Sequence, residues 1–317
     1  MEASFSLDIN EKAMYPAYPM LGSVTDEQIE EELDQGRVYR LNDRFFKFLF
    51  GLEERKHLFL DLVNALVFPD GSAGFTDFEY ASRELSATRE EGKDCCLDIV
   101  ANMADGTQVE VEVQVKNRSD YPQRSVYYLS SLHTSQMNVG ESYLDLKRTI
   151  SIHILAFSLF SGDRFRRMFC LCDLETGEKL CDDLTLLYLE MPKYIGRRAP
   201  QNRLEYWLLY LAGMEAKKMP EAMVKDPMIG QALDLEKLFL QSREERQRYI
   251  VSYKAMRDAV TNDETIRRVA RAEGRAEGRA DTVRRMLAYR LPPERIAEYT
   301  GLRPDEIEAI RAETIGG

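Results

Sequence analysis

The sequence has no apolar stretch long enough to cross a bilayer, and its opening segment, MEASFSLDINEKAMYP, lacks the basic and apolar regions of a signal peptide. We therefore expect a cytoplasmic protein without a membrane partner. Cysteine and histidine are also scarce, with five cysteines and three histidines scattered over 317 residues. Their number and spacing do not fit a four-ligand zinc site, so we expect the cysteines to be free, buried thiols.

Positive charge is the other shortage. The chain has 43 Lys and Arg against 54 Asp and Glu, a formal net charge of -11. This balance argues against a broad surface that coats nucleic acid, because phosphate contacts require Lys and Arg. It leaves room for a local site in which acidic residues bind a cation and a few basic residues line the surrounding groove.

The stretch from Asp94 to Lys116 carries the clearest pattern in the chain. From Val109 to Val115 every second residue is valine, which predicts a strand because successive side chains point to opposite faces. The preceding residues from Leu97 alternate in the same way, and a turn sequence, ADGT, separates the two runs. The sequence therefore predicts a β-hairpin, and its second strand has a polar face made of Glu110, Glu112, Gln114 and Lys116.

The length of the hairpin turn decides whether Asp98 joins this polar face. A two-residue turn would put Asp98 opposite Val113, whose side chain belongs to the other face. A three-residue turn that ends in a left-handed Gly106 with a G1 bulge sets Asp98 opposite Glu112 instead. We predict the second register, with the Cβ atoms of Asp98 and Glu112 roughly 5 Å apart and Asp94 across from Lys116.

Two carboxylates at this separation repel each other unless a proton or a cation lies between them. Oxygen ligands of this kind suit Mg²⁺ or Mn²⁺. An edge strand with a solvated charged face predicts the same alternation, and the spacing alone does not separate the two interpretations.

Asp98, followed on the next strand by Glu112-Val113-Gln114, resembles the PD-(D/E)xK nuclease superfamily, and within it the branch of recombination-promoting nucleases and transposases (Rpn). The resemblance implies an α/β fold with a restriction-endonuclease-like three-layer α/β/α core and a mixed sheet. It also implies that Asp98, Glu112 and the Val113 carbonyl bind Mg²⁺ or Mn²⁺. The superfamily's lysine position is Gln114 here, which fits the E-x-Q of the branch but supplies no charge, and Lys116 on the same face is the candidate replacement.

Flanking motifs extend the resemblance. The D-x-x-F-K pattern at Asp43 to Lys47 matches the family's first helix and makes Asp43 a candidate third carboxylate. The alternative is that Asp43 is simply an acid at a helix N-terminus, where the helix dipole favours negative charge. A predicted helix from Tyr121 to Gly140, with Val126, Leu129 and Leu132 roughly on one side, carries an R-x-x-Y-Y pattern. Arg124, Gln136 and Lys47 are the candidate substrate-binding residues; Arg124 suits a phosphate oxygen or an acidic neighbour equally well.

Two further features lie in the second half of this region. TISIHILAF, Thr149 to Phe157, is nearly continuous in apolar residues and predicts a strand buried on both faces, with His153 as a hydrogen-bonded core residue. LEMPK, with Glu190 and Lys193, resembles a family signature, but no role follows from its residues.

The chain divides into four predicted segments: a surface arm at 1–40, the nuclease-like domain at 41–200, a helical region at 201–270 and a helical tail at 271–317. In the tail, RAEGRAEGRAD fits a helix or a flexible linker equally, and PPERIAEYTGLRPDEI resembles a helix-turn-helix. The acidic second helix of that motif favours packing on another subunit, which predicts a homo-oligomer formed through the C-terminal helices.

Together these features predict a metal-dependent DNA endonuclease of the Rpn type, acting in DNA recombination or mobile-element biology. Two alternatives remain open at this point. The missing lysine permits a catalytically inactive nuclease fold that serves as a DNA-binding or assembly module. A hairpin register that separates Asp98 from Glu112 would instead favour an interaction protein with solvated acids.

Overall fold

The computed structural model describes residues 24–81, 97–194 and 200–315, with only the backbone described at 97–98, 262–270, 272–273 and 313–315. Within this part of the chain there are six strands: β1 (Phe78–Tyr80), β2 (Leu97–Met103), β3 (Gln108–Gln114), β4 (Thr149–Leu155), β5 (Arg166–Phe169) and β6 (Leu184–Glu190). The same residues form eleven α-helices: α1 (Asp26–Asp34), α2 (Asp43–Phe50), α3 (Lys56–Val67), α4 (Tyr121–Thr134), α5 (Met191–Tyr194), α6 (Arg203–Leu211), α7 (Glu221–Val224), α8 (Pro227–Gln241), α9 (Arg243–Ala288), α10 (Pro293–Thr300) and α11 (Pro304–Ile315).

The six strands form one mixed sheet in the order β1-β2-β3-β4-β6-β5. Strands β3, β4 and β6 are parallel, and the remaining pairs are antiparallel. The carboxyl ends of the parallel strands meet at one edge, where Gln114 pairs with Leu155 and Leu155 pairs with Glu190. Helices cover both faces, so the predicted α/β fold with a mixed sheet and a helical C-terminal region is confirmed.

The β2–β3 hairpin has the predicted register. Met103 N donates to Thr107 O at 2.8 Å, Gly106 has a φ of +89°, and Asp98 pairs with Glu112. The three-residue turn is therefore confirmed, and with it the placement of residue 98 beside Glu112. The predicted pairing of Asp94 with Lys116 lies outside the described residues.

Both faces of β3 are buried. Its valines join the larger apolar core, together with the isoleucines of β4 and residues of α2, α3, α6 and α8. On the other face Glu110, Glu112 and Gln114 are 0%, 1% and 6% exposed. The solvated edge strand is therefore wrong, because β3 lies inside the sheet with β2 and β4 on either side.

Helix α4 covers this polar face of the sheet, and a smaller core forms there from Tyr121, Leu129, Leu155, Tyr188 and neighbouring residues. The helix ends at Thr134, earlier than the predicted Gly140. Val126 is exposed and does not share the side of Leu129 and Leu132. The buried stripe consists of Tyr121, Ser125, Leu129 and Leu132, whose helical spacing excludes position 126.

The N-terminal helix α1 is not a surface arm. Thr25 forms the predicted N-cap in a capping box with Gln28. Ile29 and Leu33 are each 2% exposed and belong to the larger core, because α1 turns its apolar stripe inward. The predicted helix at this position is correct, and its predicted exposure is wrong.

The chain forms two compact units, Met1–Asp258 and Ala259–Gly317, and the division between them falls inside α9. The larger apolar core of the first unit contains residues from Ile29 to Tyr253, including Trp207. Described residues on both sides of the predicted limits at 40 and 200 belong to this one core. The boundary between the two units, after Asp258, comes before the predicted limit at 270.

In the second unit, the RAEGRAEGRAD repeat is helical within α9. Helices α10 and α11 follow, separated by Gly301 in a left-handed conformation, φ +67°. Val283, Ile296 and Ile307 form a small core of this unit. The arrangement of helix, turn and helix agrees with the helix-turn-helix resemblance of the sequence.

The cysteines of the connection between β5 and β6 are free, and Cys170 and Cys172 are exposed. The expectation that they are buried is wrong, because β5 ends at Phe169 and the following residues leave the core. In the described residues no helix has the length and apolar content that a membrane crossing requires.

Candidate active site at the carboxyl edge of the sheet

The hairpin brings the candidate acids to the edge of the sheet where β3, β4 and β6 end. The backbone of Asp98 pairs with that of Glu112, and Gln114 is the last residue of β3. Because Ile99 and Ala101 contribute to the larger core, alternation assigns residue 98 to the opposite face, which is the face of Glu112. The side chain of Asp98 lies outside the described part of the chain.

Glu112 lies in a fully buried network with the next strand. Its Oε2 is 3.2 Å from His153 Nδ1, and His153 is its register partner in β4. The same Nδ1 is 2.9 Å from Tyr121 Oη, and Nε2 is 3.0 Å from Ser151 Oγ. Ser151 Oγ in turn donates to Glu110 Oε2 at 3.1 Å. His153 is therefore the hydrogen-bonded core residue predicted from the sequence, and it touches a candidate metal ligand.

Gln114 offers an oxygen at the same edge. Its Nε2 donates to the Lys116 carbonyl at 2.9 Å, while its Oε1 is buried and accepts no hydrogen bond within the described residues. A buried amide oxygen without a donor is costly unless a cation or a water satisfies it. Carboxylate and amide oxygens on one face are ligands that suit Mg²⁺ or Mn²⁺, so these residues fit such an ion.

The described side chains alone do not complete a metal site. Among them, with Asp98 not included, no three acidic, histidine or cysteine residues converge on one position for a metal ion. Val113, whose carbonyl the resemblance assigns to the metal, lies in the ladder between Leu97 and Ile154, with its side chain in the larger core. Lys116 lies two residues beyond β3 and is half-buried.

The candidates Asp43 and Lys47, on α2, form an ion pair with each other. Asp43 Oδ1 is 2.8 Å from Lys47 Nζ, and both side chains are about half-exposed. Asn42 caps the helix by accepting from Arg44 N and Phe45 N. Helix α2 packs on β2 from the side of the larger core, and the described contacts of Asp43 and Lys47 do not include Glu112 or Gln114.

The candidates Arg124 and Gln136 lie near opposite ends of α4. Arg124 is half-buried, with its guanidinium 5.5 Å from the Tyr128 ring and donating to Tyr128 Oη at 3.3 Å. Gln136 bonds the backbone of Lys147 in both directions, at 2.9 and 3.1 Å, and donates to Thr149 Oγ1. Thr149 starts β4, about 13 Å along the strand from His153, so the structure does not bring Gln136 to the carboxyl edge.

Tyr188, in β6, has a pKa that is affected by the charge of Glu112. Burial raises the pKa of Tyr188, a hydrogen bond with Ser125 lowers it, and the negative charge of Glu112 raises it. The Tyr188 ring stacks on His153 at 4.8 Å with an interplanar angle of 20°. Tyr188 therefore stays a neutral phenol at physiological pH and holds the imidazole from the side away from Glu112.

The LEMPK signature acquires a structural role. Glu190 is fully buried and accepts from Leu159 N and Phe160 N at 2.6 and 2.9 Å. Lys193 Nζ bonds both the Glu190 carboxylate and the Phe160 carbonyl, at 2.7 and 2.5 Å. The pair therefore fixes the segment that leaves the carboxyl end of β4.

Sequence reasoning missed Ser151, His153 and Tyr121 as neighbours of the acids. The available signal was the polar residues Ser151 and His153 at period two inside an apolar run, which places both on one face of β4. The pairing of β4 with β3 could not be predicted from the sequence, because α4 lies between these two strands in the chain.

A family model described as PD-(D/E)XK nuclease family transposase matches residues 40–265. The chain belongs to this family. Searches of curated proteins and of solved structures gave no significant match. Membership of the PD-(D/E)XK nuclease family transposases confirms the resemblance drawn from Asp98 and Glu112-Val113-Gln114. The matched region also includes α6 to α8 and much of α9, so the helical region after the sheet is part of what characterises the family.

Proposed function

We propose that the chain is an Mg²⁺- or Mn²⁺-dependent DNA endonuclease that hydrolyses phosphodiester bonds at the carboxyl edge of the sheet. The observation that carries this proposal is the hairpin register, which sets residue 98 beside the buried Glu112. Family membership supports nuclease chemistry and a DNA substrate. Metal dependence, cleavage within a strand and the residue roles below are parts of the proposal.

Asp98 and Glu112 would hold the cation, with the Val113 carbonyl as a further ligand. When bound, such an ion lowers the pKa of a coordinated water and stabilises negative charge on the phosphate. Gln114 orients the attacking water through Oε1, which has no other donor among the described residues. An amide cannot supply charge, so it contributes orientation alone.

Positive charge would come from Lys116, beside Gln114, or from Lys47. Arg124, on the helix that covers the acidic face, is proposed to hold a phosphate oxygen, since a guanidinium can donate two parallel hydrogen bonds. Asp43 is proposed as a third carboxylate, and Gln136 as a substrate contact. Of these two, Gln136 has the weaker support because its amide is already bonded at the amino end of β4.

The test is nicking of supercoiled plasmid DNA with Mg²⁺ or Mn²⁺ by the full chain. Asp98→Asn and Glu112→Gln are each expected to reduce nicking by about 100-fold or more, because each removes a charge needed for cation binding. Asp105→Asn is the control: it changes an acid at the opposite end of the same hairpin, and its amide oxygen can still accept from Thr107 N. Unchanged nicking in either active-site variant would refute the assignment.

A second candidate function is a nuclease fold that binds DNA without cutting it. The uncharged Gln114 at the superfamily's lysine position favours this candidate. Purified chain that binds DNA but leaves plasmid intact with Mg²⁺, Mn²⁺ and Ca²⁺ would establish it and exclude the first.

The cellular role proposed is DNA recombination or mobile-element biology, which the transposase description of the family supports. The proposed location is the cytoplasm. A homo-oligomer formed through the C-terminal helices is also proposed. Light scattering on the full chain is expected to give more than the monomer mass of 36.6 kDa.

A further inference from the structure

We infer that His153 is a positioning residue for the active site: its Nδ1 fixes the Glu112 carboxylate in the orientation that receives a divalent cation. The inference rests on the proposed function, in which Glu112 is a metal ligand. It assigns a task to a side chain that is fully buried.

The contact follows from strand pairing. Glu112 and His153 are register partners in the parallel pair of β3 and β4. Their side chains therefore leave the same face side by side, and Nδ1 comes within 3.2 Å of Oε2 in a close polar contact that lacks hydrogen-bond geometry. Both residues are essentially inaccessible to solvent, so water does not screen or replace this contact.

Four contacts, with Ser151, Tyr121 and Tyr188, hold the imidazole itself. Ser151 Oγ lies 3.0 Å from Nε2, and Tyr121 Oη lies 2.9 Å from Nδ1. The Tyr188 ring stacks on the imidazole at 4.8 Å, and the Tyr121 ring meets it edge-on at 5.6 Å. These contacts come from α4, β4 and β6. A ring fixed by three elements is suited to orient a neighbouring ligand, which is the task that residues behind metal ligands perform.

Simple packing is the competing explanation, and two variants separate it from positioning. In His153→Asn the amide group lies near the position of Nδ1 and can still contact Glu112. In His153→Gln the amide lies near the position of Nε2, reaches Ser151 and leaves Glu112 without its neighbour. Both variants lose the ring and its stacking, so a packing role predicts similar effects for the two.

The experiment is calorimetric titration of Mn²⁺ alone into the metal-free full chain. Wild type is compared with His153→Asn, His153→Gln and Glu112→Gln, and circular dichroism checks that each variant is folded. We expect Glu112→Gln to abolish binding at this site. His153→Gln should weaken Mn²⁺ binding by about 10- to 100-fold, while His153→Asn should retain affinity within about threefold.

A second measurement needs no variant at position 153. The chain has three histidines, so ¹⁵N labelling of histidine gives a simple spectrum of the wild-type protein. Addition of Mg²⁺ is expected to move the Nδ1 resonance of His153, and Glu112→Gln should remove that shift. His57 and His133 serve as internal references in the same spectrum.

The outcomes distinguish the inference from the function on which it rests. If wild type binds no Mn²⁺, or Glu112→Gln binds as wild type does, the metal assignment of Glu112 fails and the role of His153 fails with it. If Glu112→Gln loses binding while the two His153 variants behave alike, or the Nδ1 resonance ignores Mg²⁺, the proposed function stands and the positioning role is overturned.

Discussion

Arg40 and Glu236 form a deeply buried ion pair between side chains that are distant in sequence, and this pair shows what a single residue contributes to stability. Arg40 Nε is 2.6 Å from Glu236 Oε2, and Nη1 donates to the carbonyls of Tyr210 and Met214 at 2.6 and 3.0 Å. Tyr210 Oη adds a donor to Glu236 at 3.1 Å. One guanidinium thus joins the segment before α2 to α6 and α8.

Arg40→Met is expected to lower the free energy of unfolding by about 3–5 kcal/mol, because it leaves Glu236 buried without its counter-charge. Lys237→Met is the matched control. It removes the neighbouring pair with Asp234, whose side chains are 70% and 72% exposed, and should change stability by less than about 1 kcal/mol. Equal effects in urea unfolding would contradict the account of the buried pair.

Individual residue pairs also show which contacts could be predicted from the sequence. The neighbour of Glu112 across the hairpin was predictable, since alternation and turn chemistry are local signals that fix the register. The pairs Glu112 with His153 and Arg40 with Glu236 were not, because their partners are distant in sequence and meet only when the sheet and helices assemble.

Among the elements, the hairpin turn sets the geometry of the site. Gly106 has a φ of +89°, and a Cβ added there would meet the Lys147 Cγ at 3.0 Å. The turn sequence predicted this conformation correctly. The end of α4 was predicted wrongly at Gly140 because the glycine, φ +95°, belongs to the loop that follows the helix.

Gly106→Ala should lower the free energy of unfolding by about 1–3 kcal/mol, the usual cost of a left-handed residue with a side chain. Gly71→Ala provides the comparison, since Gly71 has a φ of +74° but nothing within 4 Å of its added Cβ. We expect Gly106→Ala to be the more destabilising of the two in chemical denaturation; the reverse order would show that the Lys147 contact is unimportant.

Helix α1 is attached to α9 through Asp26, which is 2.7 Å from Lys254 Nζ and 2.9 Å from Arg257 Nη1. Hydrogen bonds from Lys254 and then Arg257 lower the pKa of Asp26 below 3.8. A lowered folded-state pKa contributes stability above the unfolded-state value, and this contribution is lost as the pH falls through the folded-state pKa.

Asp26→Asn should therefore be less stable than wild type at neutral pH, with the difference shrinking as the pH falls below 3.8. Urea unfolding of both proteins across this range measures the difference directly. A gap that stays constant down to the most acidic condition would mean that the charge of Asp26 does not anchor α1.

The whole molecule consists of two compact units, and each has its own apolar core. Sequence pattern identified the tail helices and their glycine turn. It did not show that α1 and the helices after residue 200 share one core with the sheet. An amphipathic pattern predicts that a helix is buried on one side, but not which element it packs against.

Ile307→Ala tests the independence of the tail core. Ile307 is fully buried there with Val283 and Ile296, so truncation should destabilise this unit by about 2–5 kcal/mol. Hydrogen exchange is expected to accelerate in α10 and α11 while protection of β3 and β4 stays unchanged. Faster exchange throughout the sheet would contradict the division into two units.

The central claim is that the acidic face of the β2–β3 hairpin binds a divalent cation. Anomalous scattering from a crystal of the full chain soaked in Mn²⁺ tests it most directly. The account predicts a peak bonded to the Glu112 carboxylate and the side chain of Asp98, at the carboxyl edge beside Gln114. Strong anomalous peaks elsewhere, with none at Glu112, would contradict it.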